Sequence, residues 1–184
     1  MARNRRPQPK AEKRAELVAV ARELFLEEGY EATSVSRVAK GASVAPNTVY
    51  WYFEDKDALF IAVLDELFAE DLAAYAEVAG ASLAEQAFWL VGRLRRVRGL
   101  VATVHARVRV SPAIAAWHDR LHATIDAVIA HQLPGPVDPG VLAVESTIAS
   151  FTVEGLITHD VPDDEARPVC DALAARLLSL ARPG

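Results

Sequence analysis

This sequence predicts an all-α protein of about nine helices, and three observations carry the prediction. Apolar residues recur at helical spacing over most of the chain, helix start and stop signals fall between those runs, and no strand-like alternation is long enough to build a sheet. Composition agrees, because 52% apolar residues with 7% aromatic and 24% charged describe an alanine-dominated, core-rich helical chain. At 184 residues there is room for a small domain fused to a larger one.

Residues 1–9 read as a basic arm broken by Pro7 and Pro9. A first helix follows from about Lys10, with Leu17, Val18, Ala21, Leu24 and Phe25 on one face. Gly29 stops it, and Tyr30 is expected to fold back on its last turn. Thr33–Phe60 predicts two short helices around a tight turn, then the start of a longer helix. Val35, Val38 and Ala39 give the first short helix a small apolar face, and Gly41-Ala42-Ser43 is a turn able to take left-handed geometry. Pro46 fits only the first turn of the second, where its missing N–H is not needed. Val49 and Phe53 point inward and leave Ala45, Pro46, Asn47, Thr48 and Trp51 outward. That is the layout of a helix-turn-helix, whose second helix lies in the DNA major groove.

Asp55 caps a long fourth helix with a stripe from Phe60 to Val78, ended by Gly80. Ser82 with Glu85 is a capping box opening a fifth helix. Gly99 interrupts the pattern, and a short helix covers roughly residues 100–108. Ser111-Pro112 and Asp138-Pro139 each start a helix as a cap followed by proline, separated by the Pro-Gly-Pro break at 134–136. Pro168 removes an interior hydrogen bond, so the last helix is expected to become regular only near it.

Over roughly residues 12–64 the order of residues resembles the TetR family of bacterial transcription regulators. The matching string is TSVSRVAK, then VAPNTVYWYFEDKDAL, from Thr33 to Leu59 without a gap. The resemblance implies a three-helix DNA-binding domain over 10–56 and a helical effector-binding and dimerisation domain over 57–184. It implies that Thr33 caps the first motif helix and meets phosphate, with Ser34, Ser36 and Arg37 along the backbone or groove edge. Ala45, Pro46, Asn47 and Thr48 would read bases, while Tyr50, Trp51 and Lys56 clamp phosphates. Two residues depart from the family pattern: Ser43 stands where glycine is frequent, and Ala45 where a capping serine is. Because Ala45 has no capping side chain, Ser43 is expected to take that role.

Charge fits such a role once it is divided along the chain. Residues 1–60 hold ten Lys/Arg and nine Asp/Glu, whereas 61–184 hold ten and sixteen, and all four lysines lie in the first part. A basic start ahead of an acidic body makes phosphate attraction local and salt-dependent. The small reading surface covers few base pairs, so a homodimer on a palindromic double-stranded DNA operator is expected, with half-sites about 34–36 Å apart. The 138–158 helix is apolar almost all round, so it and the last helix are the expected dimer interface. Val141, Val144, Ile148, Thr152, Gly155, Leu173, Leu177 and Leu180 are its candidates.

The resemblance also implies a cavity for a small, largely apolar effector whose binding releases the protein from DNA. Trp89, His105, Trp117, His118, Phe151 and His159 are the candidate lining. His118, His122 and Asp126 recur at i, i+4, i+8, but further metal ligands are not visible, so neither metal nor cofactor is expected. Arg93, Arg95, Arg96, Arg98, Arg107 and Arg109 read as a solvated face paired with nearby carboxylates. The single Cys170 excludes a disulfide within the chain, reads as a small buried hydrophobe and suits a reducing, cytoplasmic setting. No uninterrupted apolar run reaches the ~20 residues of a membrane span. Without a phosphate-binding loop or nucleophile elbow, an enzyme is not expected. The alternative reading is a helical DNA-binding architectural or partner-binding protein that takes no small effector.

Overall fold

The structure is a computed structural model that describes residues 10–180; the arm expected over residues 1–9 lies outside them. Among the described residues there are nine helices and no strand: α1 (Lys10–Glu27), α2 (Val35–Gly41), α3 (Pro46–Tyr52), α4 (Lys56–Tyr75), α5 (Leu83–Arg95), α6 (Arg98–Arg107), α7 (Pro112–Gln132), α8 (Pro139–Thr158) and α9 (Asp163–Leu178).

The helix starts follow the capping chemistry of the sequence. The Asp55 carboxylate accepts from the Ala58 N–H at 2.7 Å, and Asp138 accepts from Gly140 and Val141 at 2.9 and 3.1 Å. Ser82 and Glu85 form both halves of a capping box, and Ser111 Oγ accepts from Ile114 N–H. Each bond satisfies a donor that the first turn leaves without an intrahelical acceptor.

Two expectations need correction. The turn after α4 begins at residue 76, earlier than Gly80. α9 starts at Asp163 and carries Pro168 in its interior. The reason is local: residues 164 and 168 are both exposed, so the Asp164 carbonyl that loses its partner faces water.

Two apolar cores form. One joins α1–α3 to the first half of α4 and to single turns of α6 and α7, through Leu17, Phe25, Val49, Phe60, Val104 and Ile114. The other lies among α5, α8, α9 and the end of α7, through Val91, Ile129, Val153, Cys170 and Leu177. Tyr30 is built into the first: its ring centroid lies 5.6 Å from Phe25 and 5.0 Å from Phe60. The first half of α4 is built into the first core, and its second half reaches α5 through the Asp71–Arg93 pair.

Candidate nucleic-acid interface and internal cavity

Ser34, not Thr33, caps α2; its Oγ accepts from the Arg37 N–H at 3.1 Å. Thr33 is fully buried and donates its hydroxyl inward to the Gly29 carbonyl at 2.9 Å, so it has no route to a phosphate. After α2 the chain makes a Schellman turn: the Val44 N–H reaches Ala39 O at 2.9 Å and the Ser43 N–H reaches Lys40 O at 3.1 Å. Ser43 occupies the left-handed position of that turn at φ 54°. It is thus the helix stop of α2 rather than the cap of α3, which starts from Ala45 with no side-chain cap. Gly41 allows α2 to approach α1, because a Cβ there would lie 2.6 Å from Val20 Cγ1.

α3 buries Val49 and Phe53 and turns Ala45, Pro46, Asn47, Tyr50 and Trp51 outward, with Thr48 half-buried. Trp51 is 66% exposed and Tyr50 53%, an unusual cost for large aromatic surface unless something covers it. Asn47, Thr48, Trp51 and Tyr52 line a shallow groove. Two residues that the helix pattern did not single out join this face: the Lys10 ammonium sits 4.5 Å from the Trp51 ring, and the Arg14 guanidinium 5.1 Å from Phe53. Ser36 and Arg37 are exposed on α2, and Arg37 is paired with Glu28, which pulls the Glu28 carboxyl below its ordinary range. Lys56 is tied down more than a free phosphate clamp, donating to Tyr30 O at 2.9 Å and Thr33 O at 3.2 Å. It also lies 3.9 Å from the Tyr30 ring.

A polar joint connects this end to the body. Arg107, in the last turn of α6, donates to both oxygens of Asp57 at 2.8 Å, and the Tyr30 hydroxyl donates to the same carboxylate. Burial alone would push the Asp57 carboxyl up, but hydrogen bonds from Arg107, Tyr30 and Ser111 outweigh it and hold it below its ordinary value. Other arginines of this stretch are paired as well: Arg93 with Asp71, Arg95 with Asp163, and Arg98 with Asp160.

Between α4 and α9 lies a cavity of about 280 Å³, walled by leucine, valine and isoleucine. Four expected lining residues are there, Trp89, His105, Trp117 and His118, and two are not. Phe151 is 67% exposed, on the opposite side of α8 from the lining residues Ala149 and Val153. His159 ends α8 as an exposed C-cap, beyond the last lining residue, Glu154. The sequence reading missed Ser150 and Glu154, although an i, i+4 polar pair on an otherwise apolar helix was a usable signal. His118 and His122 are hydrogen-bonded to each other, Nε2 to Nε2 at 3.0 Å. Among the described residues no group of three or more His, Cys, Asp or Glu is placed to hold a metal. Cys170 is buried, which pushes its thiol up and leaves it unreactive.

The expected dimer residues divide. Val141 and Val144 are exposed on α8, with Ile148, Thr152 and Gly155 half-buried beside them. Leu173 and Leu177 are buried in the second core and line the cavity, so α9 turns them inward, and Leu180, in the turn after α9, packs against the same core. The outer surface of α9 instead shows Val169, Ala172, Ala175 and Leu178.

This geometry has known counterparts. Residues 17–63 match the model of the bacterial regulatory proteins of the tetR family. The match covers the helix-turn-helix end of the chain, α1 from Leu17 through the first half of α4. The HTH-type transcriptional regulator UidR of Escherichia coli (strain K12) is 25% identical over 176 residues, covering 90% of each chain. A solved transcriptional regulator from Rhodococcus sp. Rha1 is similar in fold, with a TM-score of 0.74, 24% identity, and coverage of 90% of this chain and 96% of that one. A transcriptional regulator from Saccharomonospora viridis, solved in complex with choline, has a TM-score of 0.68 at 18% identity, covering 90% and 97%. The likeness to these regulators spans most of the chain in fold, and the family match lies at its helix-turn-helix end.

Proposed function

We propose that this regulator is a ligand-responsive homodimer that represses transcription from a palindromic operator and is released when a small, largely apolar effector fills its cavity. The observation that carries the reading is a single connected unit. α3 presents Asn47, Tyr50 and Trp51 to the outside, and α6 runs from cavity-lining Val104 and His105 to Arg107, which grips Asp57 at the head of α4. A ligand that favours one placement of α4 and α6 changes the separation of two reading heads, and coupling of about 1–3 kcal/mol suffices for such control.

In this reading Pro46, Asn47 and Thr48 face base edges, with Ala45 against a thymine methyl; Ser34, Ser36, Tyr50, Trp51, Lys10 and Arg14 hold the sugar-phosphate backbone. Arg37 reaches DNA by exchanging Glu28 for phosphate. The domain division follows, with α1–α3 as the DNA-binding domain and the rest as effector and dimer domain. α8 is long and apolar enough to cross a membrane by length and composition. It also carries Glu154 toward the cavity and Glu145, which Arg176 clasps at 2.6 and 2.8 Å. Its exposed apolar face is better covered by α8 and α9 of a second copy, in the cytoplasm where DNA is available.

Selection of bound duplexes from a random library, followed by footprinting, tests the proposal. Two inverted half-sites protected by one dimer are expected. Uniform coating without a preferred sequence would return the architectural reading instead.

A further inference from the structure

We infer that the cavity takes an amphipathic monoacid, an apolar body ending in one carboxylate, with its head group seated against His118 and His122. The inference rests on the ligand-responsive reading above and adds the chemical class of the ligand.

The cavity wall is apolar apart from a few polar groups, and they differ in what they leave open. At the α4–α5 end the groups satisfy one another. The Tyr75 hydroxyl donates to Gln86 Oε1 at 2.5 Å, Gln132 donates to Tyr75 at 2.9 Å, and the Gln86 amide donates to Ala81 O at 2.8 Å. Asp71, from α4, is held by Arg93 of α5. Nothing there calls for a ligand.

The wall made by α6, α7 and α8 is different. His105 of α6 lies 3.4 Å from Glu154 of α8, while His118 and His122 of α7 share one hydrogen bond. Ser150 of α8 reaches His122 Nδ1 at 3.4 Å, and the Asp119 carboxylate stands 4.0 Å from His118 Nδ1, outside hydrogen-bond range. The shared N–H···N bond requires one ring nitrogen to donate and the other to accept, so the pair can hold one added proton and keep the bond, the charged ring donating and the neutral ring accepting. Burial, then the neighbouring His122 and His105, pull His118 down from its ordinary value and favour its neutral form. The bond to Glu154 raises His105, and that carboxylate is matched. The wall therefore holds one matched His105–Glu154 pair and an imidazole pair able to take up a proton.

A ligand's charge decides which way protons move. A carboxylate entering an apolar cavity needs a positive partner, and protonating the His118–His122 pair supplies one without breaking any existing pair. A cation would have to take Glu154 from His105 and lie against imidazoles. The acid is the better match, and its binding takes up a proton. Its own carboxyl, ordinarily near ~4–5, is ionised in solution above pH 6, so a proton taken up on binding goes either to the imidazole pair or to the buried carboxylate, and H122Q separates the two.

Calorimetric titration of the full-length protein with decanoate, 1-decanol and decyltrimethylammonium, at pH 6 and pH 8 and in buffers of different ionisation heat, tests this. Decanoate should bind about tenfold or more tightly at pH 6 than at pH 8, with net proton uptake approaching one, and H122Q should flatten that dependence. The wild-type titration decides the matter even if the variant does not fold. Decanoate binding without proton uptake, or tighter binding of the ammonium with proton release, overturns the monoacid while leaving a ligand-responsive cavity in place. Failure of all three to bind overturns it too, and the duplex selection then judges the DNA reading separately.

Discussion

At Ser43 the side chain and the backbone disagree most. A left-handed residue ends α2 and sets the angle at which α3 leaves, yet the chain places a serine there at φ 54°. A side chain with a Cβ pays roughly 1–2 kcal/mol for that conformation, and glycine returns part of the gain through its freer unfolded state. Ser43→Gly should therefore stabilise the protein by about 0.5–1 kcal/mol in denaturant unfolding; no gain would mean the turn is held by something other than backbone preference. The same turn shows what the sequence concealed. Thr33 and Ser34 are adjacent and both able to cap, and only the inward rotation of Thr33 toward Gly29 decides between them. The outward surface of α3 was legible, because Pro46, Val49 and Phe53 fix its rotation. Substitutions there should behave differently. Asn47→Ala should alter preference at one position per half-site, costing about 1–3 kcal/mol of discrimination. Lys10→Ala should weaken all duplexes alike and flatten the salt slope by about one, whereas Lys56→Ala should chiefly lower stability, since it frees the Tyr30 and Thr33 carbonyls. An unchanged operator profile for Asn47→Ala removes it from the reading set.

Among the elements, α6 links the two halves, and sequence patterning did not reveal it. Its ten residues carry cavity-lining Val101, Val104 and His105 and then the Arg107 that holds Asp57 and lies 4.7 Å from the Tyr30 ring. Arg107 had read as one more solvated arginine; only the fold brings it to a carboxylate fifty residues away. Helix starts were legible because caps are local. Which way α9 turns was not, since Leu173 and Leu177 suit either an inner core or an outer interface. Arg107→Ala should cost about 2–3 kcal/mol, because it strands a nearly buried carboxylate, and should reduce the effect of ligand on DNA affinity while ligand still binds. Asp57 titrates below its ordinary value, so this stabilisation is present at neutral pH and is lost as pH falls below about 3.8. Wild type should therefore lose more stability than Arg107→Ala between pH 5 and pH 3; equal losses in the two proteins would place the acid sensitivity elsewhere.

For the whole molecule, the question is what covers α8. Phe151 is 67% exposed, Val144 59% and Val141 44%, all on the side of the helix away from the cavity. Burying side chains of this kind stabilises by roughly 1.5–3 kcal/mol each, and a two-fold pairing buries each twice. α9 adds the exposed small residues Ala172 and Ala175, which let a partner helix approach closely. Pairing here would also join two reading surfaces through one rigid block, so a shift of α4 in each copy changes their separation. Phe151→Glu places two carboxylates near the two-fold axis and should convert the dimer to monomer in sedimentation velocity at micromolar concentration. Operator affinity should then fall about 100-fold or more, because the second head loses its tether. The cavity is lined by a single chain, so ligand binding should persist and separate lost assembly from lost folding. A Phe151→Glu protein that still sediments as a dimer would move the interface off α8 and leave its apolar row without a partner.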